Sequence, residues 1–321
     1  MIRHAIFHET GQPETVVRLQ ETEVSALAPG DVRVRMQFAP VNPADINYLQ
    51  GAYGKKATLP ATPGMEGVGE IVELSSEVVD LNEGDQVILH NHIGAWSEQV
   101  CVAREHVIPI RPSIDPQQAA MLRVNPSTAW RLLTGYRSLE SGDSIIQNAA
   151  NSGVGLAVIQ LAKILGIQTL NVVRRESAMD VCRTAGAKHL FLDERGLKVD
   201  AEPILAFNAV GGDSALRLME LLAPEGIHIT YGAMARQALK VPNRFLIFKQ
   251  IQLHGLWVTK WMNALSMAER QSLFDRLASF VREGKLALPV ERVYPLDQVA
   301  AGVTHAQTNQ RGGKVMIDLR R

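Results

Sequence analysis

The chain has 321 residues, 46% of them hydrophobic, with 33 Lys and Arg balanced by 33 Asp and Glu. A formal net charge of zero excludes nucleic acid or an anionic membrane as a partner recruited by bulk electrostatics. Two cysteines, Cys101 and Cys182, are too few for a disulfide framework or a four-cysteine zinc site. No apolar run approaches the roughly 18 residues of a membrane span. The opening residues show neither an apolar signal core nor an extended Arg/Ser-rich transit segment. A cytoplasmic protein with a reducing environment is therefore expected, built as two domains at about 150 residues each.

The first third reads as short strands. Val32, Val34, Met36 and Phe38 alternate with Arg33, Arg35 and Gln37, which predicts a strand with one buried and one wet face. Runs at 67–74, 85–90 and 97–102 follow, separated by Gly, Pro, Asn and Asp, as in a barrel-like all-β unit. One helix interrupts them over 43–50, with Asn42 as cap and Pro43 at its first position.

From about Asn125 the period changes. Strands at 144–150, 169–173, 189–192, 204–210 and 227–231 alternate with helices at 154–165, 177–185 and 213–222. That alternation predicts a parallel, doubly wound sheet. A helix after Ala264 puts Leu273, Leu277, Phe280 and Val281 on one face. The final run from Lys314 resembles the strands of the first third, so the tail is expected to fold back onto that region.

The strand from Ile145 runs into Asn151-Ser152-Gly153-Val154-Gly155 and then a helix. Small residues at such a turn admit a pyrophosphate, and the helix N-terminus offers free N–H groups. The spacing, Ala-x-x-Gly-x-Gly, also suits a tight turn in any α/β domain; its strand–helix–strand setting favours a nucleotide. The next strand ends in Arg174 and Arg175 where an NAD site usually has a carboxylate. Guanidinium groups there suit a 2′-phosphate, so NADPH is the expected cofactor.

With these motifs the chain resembles the medium-chain dehydrogenase/reductase superfamily along essentially its whole length. The resemblance implies an α/β protein: a GroES-like, β-rich catalytic domain (1–122 and 264–321) with an inserted Rossmann, NADPH-binding domain (123–263). Zinc members carry a Cys ligand early and a Gly-His-Glu motif; here Asn42 and Met65 stand in those places, followed by Glu66. Methionine and asparagine are poor zinc ligands, and the four-cysteine lobe is missing, so no metal is expected. His90 and His92 share a strand face without a nearby Cys, which does not make a metal site.

Within the superfamily, Val124-Asn-Pro-Ser-Thr-Ala-Trp, Gly142 through Gly155, Phe207-Asn-Ala-Val-Gly-Gly and Leu246 through Trp257 resemble trans-2-enoyl thioester reductases of the mitochondrial fatty-acid-synthesis type. That resemblance implies cofactor contacts at Asn125, Asn151, Ser152, Gly153, Val154, Arg174, Arg175, Tyr231, Gly232, Ala233, Met234, Leu256, Trp257, Val258, Thr259 and Lys314. Arg175, Ala233 and Leu256 depart from the Asp, Gly and Phe common in the family. Tyr53, in Gly51-Ala-Tyr-Gly, matches the tyrosine that donates a proton or orients the substrate carbonyl. Read without the resemblance, Tyr53 is a surface aromatic in a Gly-flanked loop and Trp257 is core packing. Cys101, in an alternating strand, reads as a small core residue.

The expected function is NADPH-dependent, metal-free reduction of the C=C bond of 2-enoyl thioesters by a homodimer with a small-molecule substrate. The alternatives are a quinone or enone reductase, which does not need Tyr53, and a non-catalytic nucleotide-binding protein.

Overall fold

The structure, a computed structural model, describes residues 1–91, 93–309 and 311–320; His92 lies outside them. The chain divides into two compact units, Met1–Val124 with Leu265–Arg321, and Asn125–Ala264. In chain order the first unit carries β1 (Ile2–Ile6), β2 (Arg18–Thr22), β3 (Asp31–Pro40), β4 (Val68–Leu74), β5 (Gln86–Leu89), β6 (Gln99–Ala103) and β7 (Val107–Pro109). The second carries β8 (Ser144–Gln147), β9 (Gln168–Val173), β10 (His189–Leu192), β11 (Leu205–Asn208), β12 (Ile227–Thr230) and β13 (Gln252–Gly255). Two further strands, β14 (Val290–Pro295) and β15 (Lys314–Asp318), belong to the first unit again.

The main sheet of the first unit runs β14-β15-β3-β4-β5-β7, with β6 also paired to β3. The tail is built into it, because β15 pairs antiparallel with β3 and sets Ile317 opposite Ala39. The alternation in β3 is real on its apolar side: Val32, Val34, Met36 and Phe38 are all buried. On the other face Arg35 is exposed, but Arg33 is buried. Its guanidinium meets Glu73 at 2.6 Å and the Ser25 carbonyl at 2.9 Å, so pairing permits the burial that a lone charge would not tolerate. Trp96, Phe7, Met36 and Leu49 lie at the centre of this core with no exposed surface. Each contributes about 1.5–3 kcal/mol by leaving water.

The second unit is a six-stranded sheet in the order β10-β9-β8-β11-β12-β13, every pair parallel. This order reverses direction between β8 and β11, the crevice where open α/β sheets hold ligands. The helix Gly153–Leu165 buries an apolar face and stops at Gly166, whose φ of 73° suits only a residue without a side-chain penalty there.

Several expected elements shift. The helix expected over 177–185 is a single 3-10 turn, Glu176–Ala178, followed by Met179–Thr184. The long helix Met267–Arg282 buries Leu273, Phe274, Leu277 and Ala278, leaving Phe280 and Val281 half-buried. No helix among the described residues is long and apolar enough to cross a membrane.

Candidate active site

In the second unit, most of the expected cofactor contacts sit just past the carboxyl end of a parallel strand. Asn151 to Val154 follow β8, Arg174 and Arg175 follow β9, Tyr231 to Met234 follow β12, and Leu256 to Thr259 follow β13. Parallel strands put all four loops on one edge of the sheet. Asn125, the remaining one in this unit, opens the helix Asn125–Thr134 and is buried.

The strand expected to reach Ala150 ends at Gln147. Asn148 diverts it: its side-chain amide donates to Asn208 Oδ1 and Ser214 Oγ, both at 2.9 Å, and its Oδ1 accepts the Ala209 N–H at 2.8 Å. Ala149 then takes a positive φ of 48° and the chain turns into the helix. Ser152 caps that helix by accepting the Gly155 N–H at 3.1 Å. A Cβ on Gly155 would lie 2.5 Å from the Ala150 carbonyl oxygen, so only glycine allows the turn and helix to approach this closely. The Tyr231 hydroxyl is buried and has no partner in hydrogen-bond geometry among the described residues. Burial pushes its pKa up, against a smaller opposing influence from Ser152. A glycine-only turn, a helix N-terminus beyond it and an orphaned hydroxyl facing the same serine fit a dinucleotide phosphate. Arg174 is exposed and Arg175 half-buried, at the strand end where a ribose 2′-substituent is recognised. Met234 and Trp257 are 61% and 44% exposed.

The first unit holds a different kind of site. Asp45, Glu66, Arg123 and Lys314 are all buried, two acids and two bases in one cluster. Asp45 sits in the helix Pro43–Leu49 and accepts the N–H groups of Asn42 and Met65, both at 2.7 Å. Glu66 accepts the Asn42 side-chain amide and the Val124 N–H, both at 2.8 Å. Lys314 donates its ammonium to Asn42 Oδ1, and Arg123 donates Nη1 to the Met65 carbonyl at 2.7 Å. Asn42 and Met65, the residues standing where zinc members carry ligands, therefore bind this network instead. Gly64 permits the bend before Met65: its φ is 111°, and a Cβ there would lie 2.7 Å from Trp96.

Burial outweighs pairing for each charge. It raises Asp45 to about 7 against two N–H bonds, and it raises Glu66 against the attraction of Lys314. It lowers Lys314 to about 8 against the pull of Glu66, and lowers Arg123 as well. His90 is buried and pushed down to about 3, by burial first and then by Arg123, Arg270 and His106. Among the described residues no group of three or more His, Cys, Asp or Glu is placed to hold a metal ion.

Tyr53 follows directly. Its backbone N–H donates to the Asn47 carbonyl at 3.1 Å. Its ring meets Tyr48 edge-on with centroids 6.4 Å apart, and Tyr48 meets Phe7 at 5.4 Å. This is a half-buried aromatic stack, not a free surface ring. Arg123 interacts electrostatically with Glu66, Tyr53 and Asp45, which joins the phenol to the charge cluster. The sequence points to Tyr53 as the candidate acid and to Asn42 as a helix cap. Arg123 is missed altogether, and the pairing of Lys314 with Asn42 is not foreseen. The available signal was charge inside apolar surroundings: Glu66 lies between Met65 and Gly67, and Lys314 precedes Val315, Met316 and Ile317. Cys101 is half-buried and takes a 3.0 Å hydrogen bond from Arg33, while burial raises its thiol.

Residues 28–112 match the alcohol dehydrogenase GroES-like domain, and residues 186–317 match the zinc-binding dehydrogenase family. The mitochondrial enoyl-[acyl-carrier-protein] reductase of Homo sapiens is 39% identical over 308 residues, 92% of this chain and 83% of that protein. That of Xenopus tropicalis is 38% identical, covering 95% and 92%. This chain belongs to the enoyl reductase family of the medium-chain dehydrogenase/reductases. The family fold extends to solved structures. The Etr1p complex with NADP and crotonyl-CoA superposes at a TM-score of 0.89 with 26% identity, covering 99% of both chains. A putative NADPH:quinone reductase from Bacillus thuringiensis superposes at 0.92 with 26% identity, covering 99% of this chain and 98% of that one. The expectation of a cytoplasmic protein is corrected by these enoyl reductase relatives, which are named as mitochondrial.

Proposed function

We propose that this chain is an NADPH-dependent reductase of the C=C bond of 2-enoyl thioesters that works without a metal. The observation that carries the reading is Tyr53, a phenol stacked on Tyr48 and near Arg123 of the buried charge cluster. Asn151 to Val154 and the Gly155 turn would hold the pyrophosphate, and Arg174 with Arg175 the 2′-phosphate. When bound, NADPH supplies the hydride that adds at C3 of the enoyl group. Negative charge then develops on the thioester oxygen. Tyr53 Oη donates a hydrogen bond to that oxygen, C2 takes the phenol's proton, and water returns a proton to the phenolate. Asn42 and Met65 offer neither thiolate nor imidazole, which supports a metal-free reaction.

We also propose a homodimer. Every residue of the edge strand β13 is exposed, and Phe248 and Ile247 beside it are 80% and 63% exposed. An open edge flanked by apolar surface is one that proteins normally cover. The Candida tropicalis relative is described as an Etr1p/Etr2p heterodimer, consistent with pairing of such chains.

A quinone or enone reductase is the second reading, favoured by the fold match to the quinone reductase. NADPH oxidation against 2-enoyl thioesters of increasing chain length, quinones and simple enones separates them. Thioesters should give the highest kcat/KM; a clear preference for quinones would overturn the first reading.

A further inference from the structure

A cavity of about 550 Å³ opens in the first unit, between β1, β6 and the segment that follows Tyr53. Its chemistry is one-sided. Lys55 and Lys56 lie on its wall with Thr58, Thr62, Asn91 and Gln99, and no Asp or Glu among the described residues lines it. Both lysines are exposed, and neither makes an ion pair among the described residues. Unpaired ammonium groups with hydroxyl and amide donors around them, and no carboxylate to repel an anion, make a receptor for a phosphate.

His4 lines the same cavity but adds no charge. Its Nδ1 is held by Thr62 Oγ1 at 2.9 Å, and burial lowers its pKa, so it is neutral at neutral pH. The cavity's charge therefore comes from Lys55 and Lys56.

Its position relative to Tyr53 gives the ligand class. Tyr48 forms part of the wall, and the Tyr53 ring packs edge-on against Tyr48. The segment that begins at Tyr53 continues through Lys55, Lys56, Thr58 and Thr62 along the cavity. A 2-enoyl thioester of biological origin carries a phosphate at the far end of its pantetheine arm, whether that arm belongs to coenzyme A or to a carrier protein. We infer that Lys55 and Lys56, with the hydroxyls of Thr58 and Thr62, bind the phosphate of the 4′-phosphopantetheine arm of the thioester substrate. This rests on the proposed thioester reductase reading and adds a substrate subsite to it.

The test compares the parent with a Lys55→Ala/Lys56→Ala double variant, both substitutions lying on the surface where folding is little affected. Calorimetric titration uses 4′-phosphopantetheine and pantetheine. The parent should bind the phosphorylated arm about tenfold more tightly, and the variant should lose that preference. An equal preference in both proteins, or none in the parent, would overturn the inference. In turnover, the ratio of kcat/KM for crotonyl-CoA over crotonyl-N-acetylcysteamine, which has no phosphate, should fall about tenfold in the variant. A crotonyl carrier protein in parallel assigns the source: a matching fall supports a carrier-borne arm as well as coenzyme A, and a fall with coenzyme A alone supports coenzyme A. If the parent reduces no thioester, the functional reading fails; if it reduces them with the same ratio as the variant, only the phosphate site fails.

Discussion

Lys314 and Asn42, 272 positions apart in the chain, meet inside the first unit, where the lysine ammonium donates to the Asn42 side-chain oxygen. The contact ties the last strand to the residue that begins the helix leading to Tyr53. Asn42 passes the connection on, since its amide nitrogen donates to Glu66 at 2.8 Å. One short amide thus spans a buried cation and a buried anion. Removing the cation leaves two buried carboxyls, Glu66 and Asp45, with only Arg123 as a counter-charge in a dry interior.

Lys314→Met should therefore destabilise the protein by about 3–5 kcal/mol, the cost of breaking a buried pair from one side. The cost has a definite pH dependence. Lys314 has its folded pKa lowered to about 8 from 10.5, so between those values the unfolded chain binds more protons and the parent gains stability as pH rises. In the variant, the carboxylates lose their cation and titrate higher still; the folded variant then holds protons that the unfolded chain releases, so it loses stability over the same direction. Urea midpoints at pH 7, 8 and 9 should show the gap between parent and variant widening upward. A gap that narrows would mean that Lys314 is not charged in the cluster.

Tyr53→Phe removes one hydroxyl and keeps the ring stacked on Tyr48. Fold and melting temperature should hardly change, while kcat with a 2-enoyl thioester should fall about a hundredfold, the usual contribution of a positioned acid. Quinone turnover, which needs no phenol, should be retained. Parallel kinetics with the two acceptors decide the matter, and equal losses with both would remove Tyr53 from proton delivery.

The second unit was more legible in the sequence than the first. Its strands announce themselves as short apolar runs, Ile145-Ile146 and Val172-Val173 among them, with helices between. Edge strand β13 gave no such signal, because Gln252, Leu253, His254 and Gly255 are all exposed and no burial imposes a period on them. The stop at Gln147 was hidden for a different reason: Asn148 leaves the strand to bond Asn208, Ser214 and Ala209, partners about 60 positions away. The charge cluster shows the same limit. Asp45, Glu66, Arg123 and Lys314 look like four unrelated residues until the β15–β3 pairing brings them together, and periodicity carries no information about such distant neighbours.

The Gly155 turn makes a direct prediction about packing. Its missing Cβ would sit 2.5 Å from a backbone oxygen, and backbone cannot swing aside as a side chain would. Gly155→Ala should cost about 1–3 kcal/mol of stability from overpacking. It should also weaken NADPH binding in a fluorescence titration by pushing the Ser152 cap away from the turn. An unchanged urea midpoint would show that the turn can relax.

On the proposed reading, Arg174 and Arg175 set cofactor choice by charge. A double change to Ala would then remove the cations assigned to the 2′-phosphate but none of the turn assigned to the pyrophosphate. Hydrogen bonds to charged groups contribute about 1.5–3 kcal/mol each, so the Kd for NADPH should rise about a hundredfold or more. The Kd for NADH should stay within about threefold, since it has no phosphate there to lose. Comparable losses for both nucleotides would assign the arginines to the loop's structure.

The exposed edge of β13 gives the last prediction. A strand at the end of a parallel sheet offers unpaired N–H and C=O groups, and Phe248 and Ile247 add apolar surface beside it. A second copy pairing there would satisfy both, whereas a monomer would leave an aggregation-prone edge in water. Light scattering should give twice the chain mass for the parent. Phe248→Asp puts a charge against the partner's apolar surface and should shift the population to monomer at low micromolar concentration, with the melting temperature falling as the protein is diluted. A parent that runs as a monomer, or a variant that remains dimeric, would move the interface to another face.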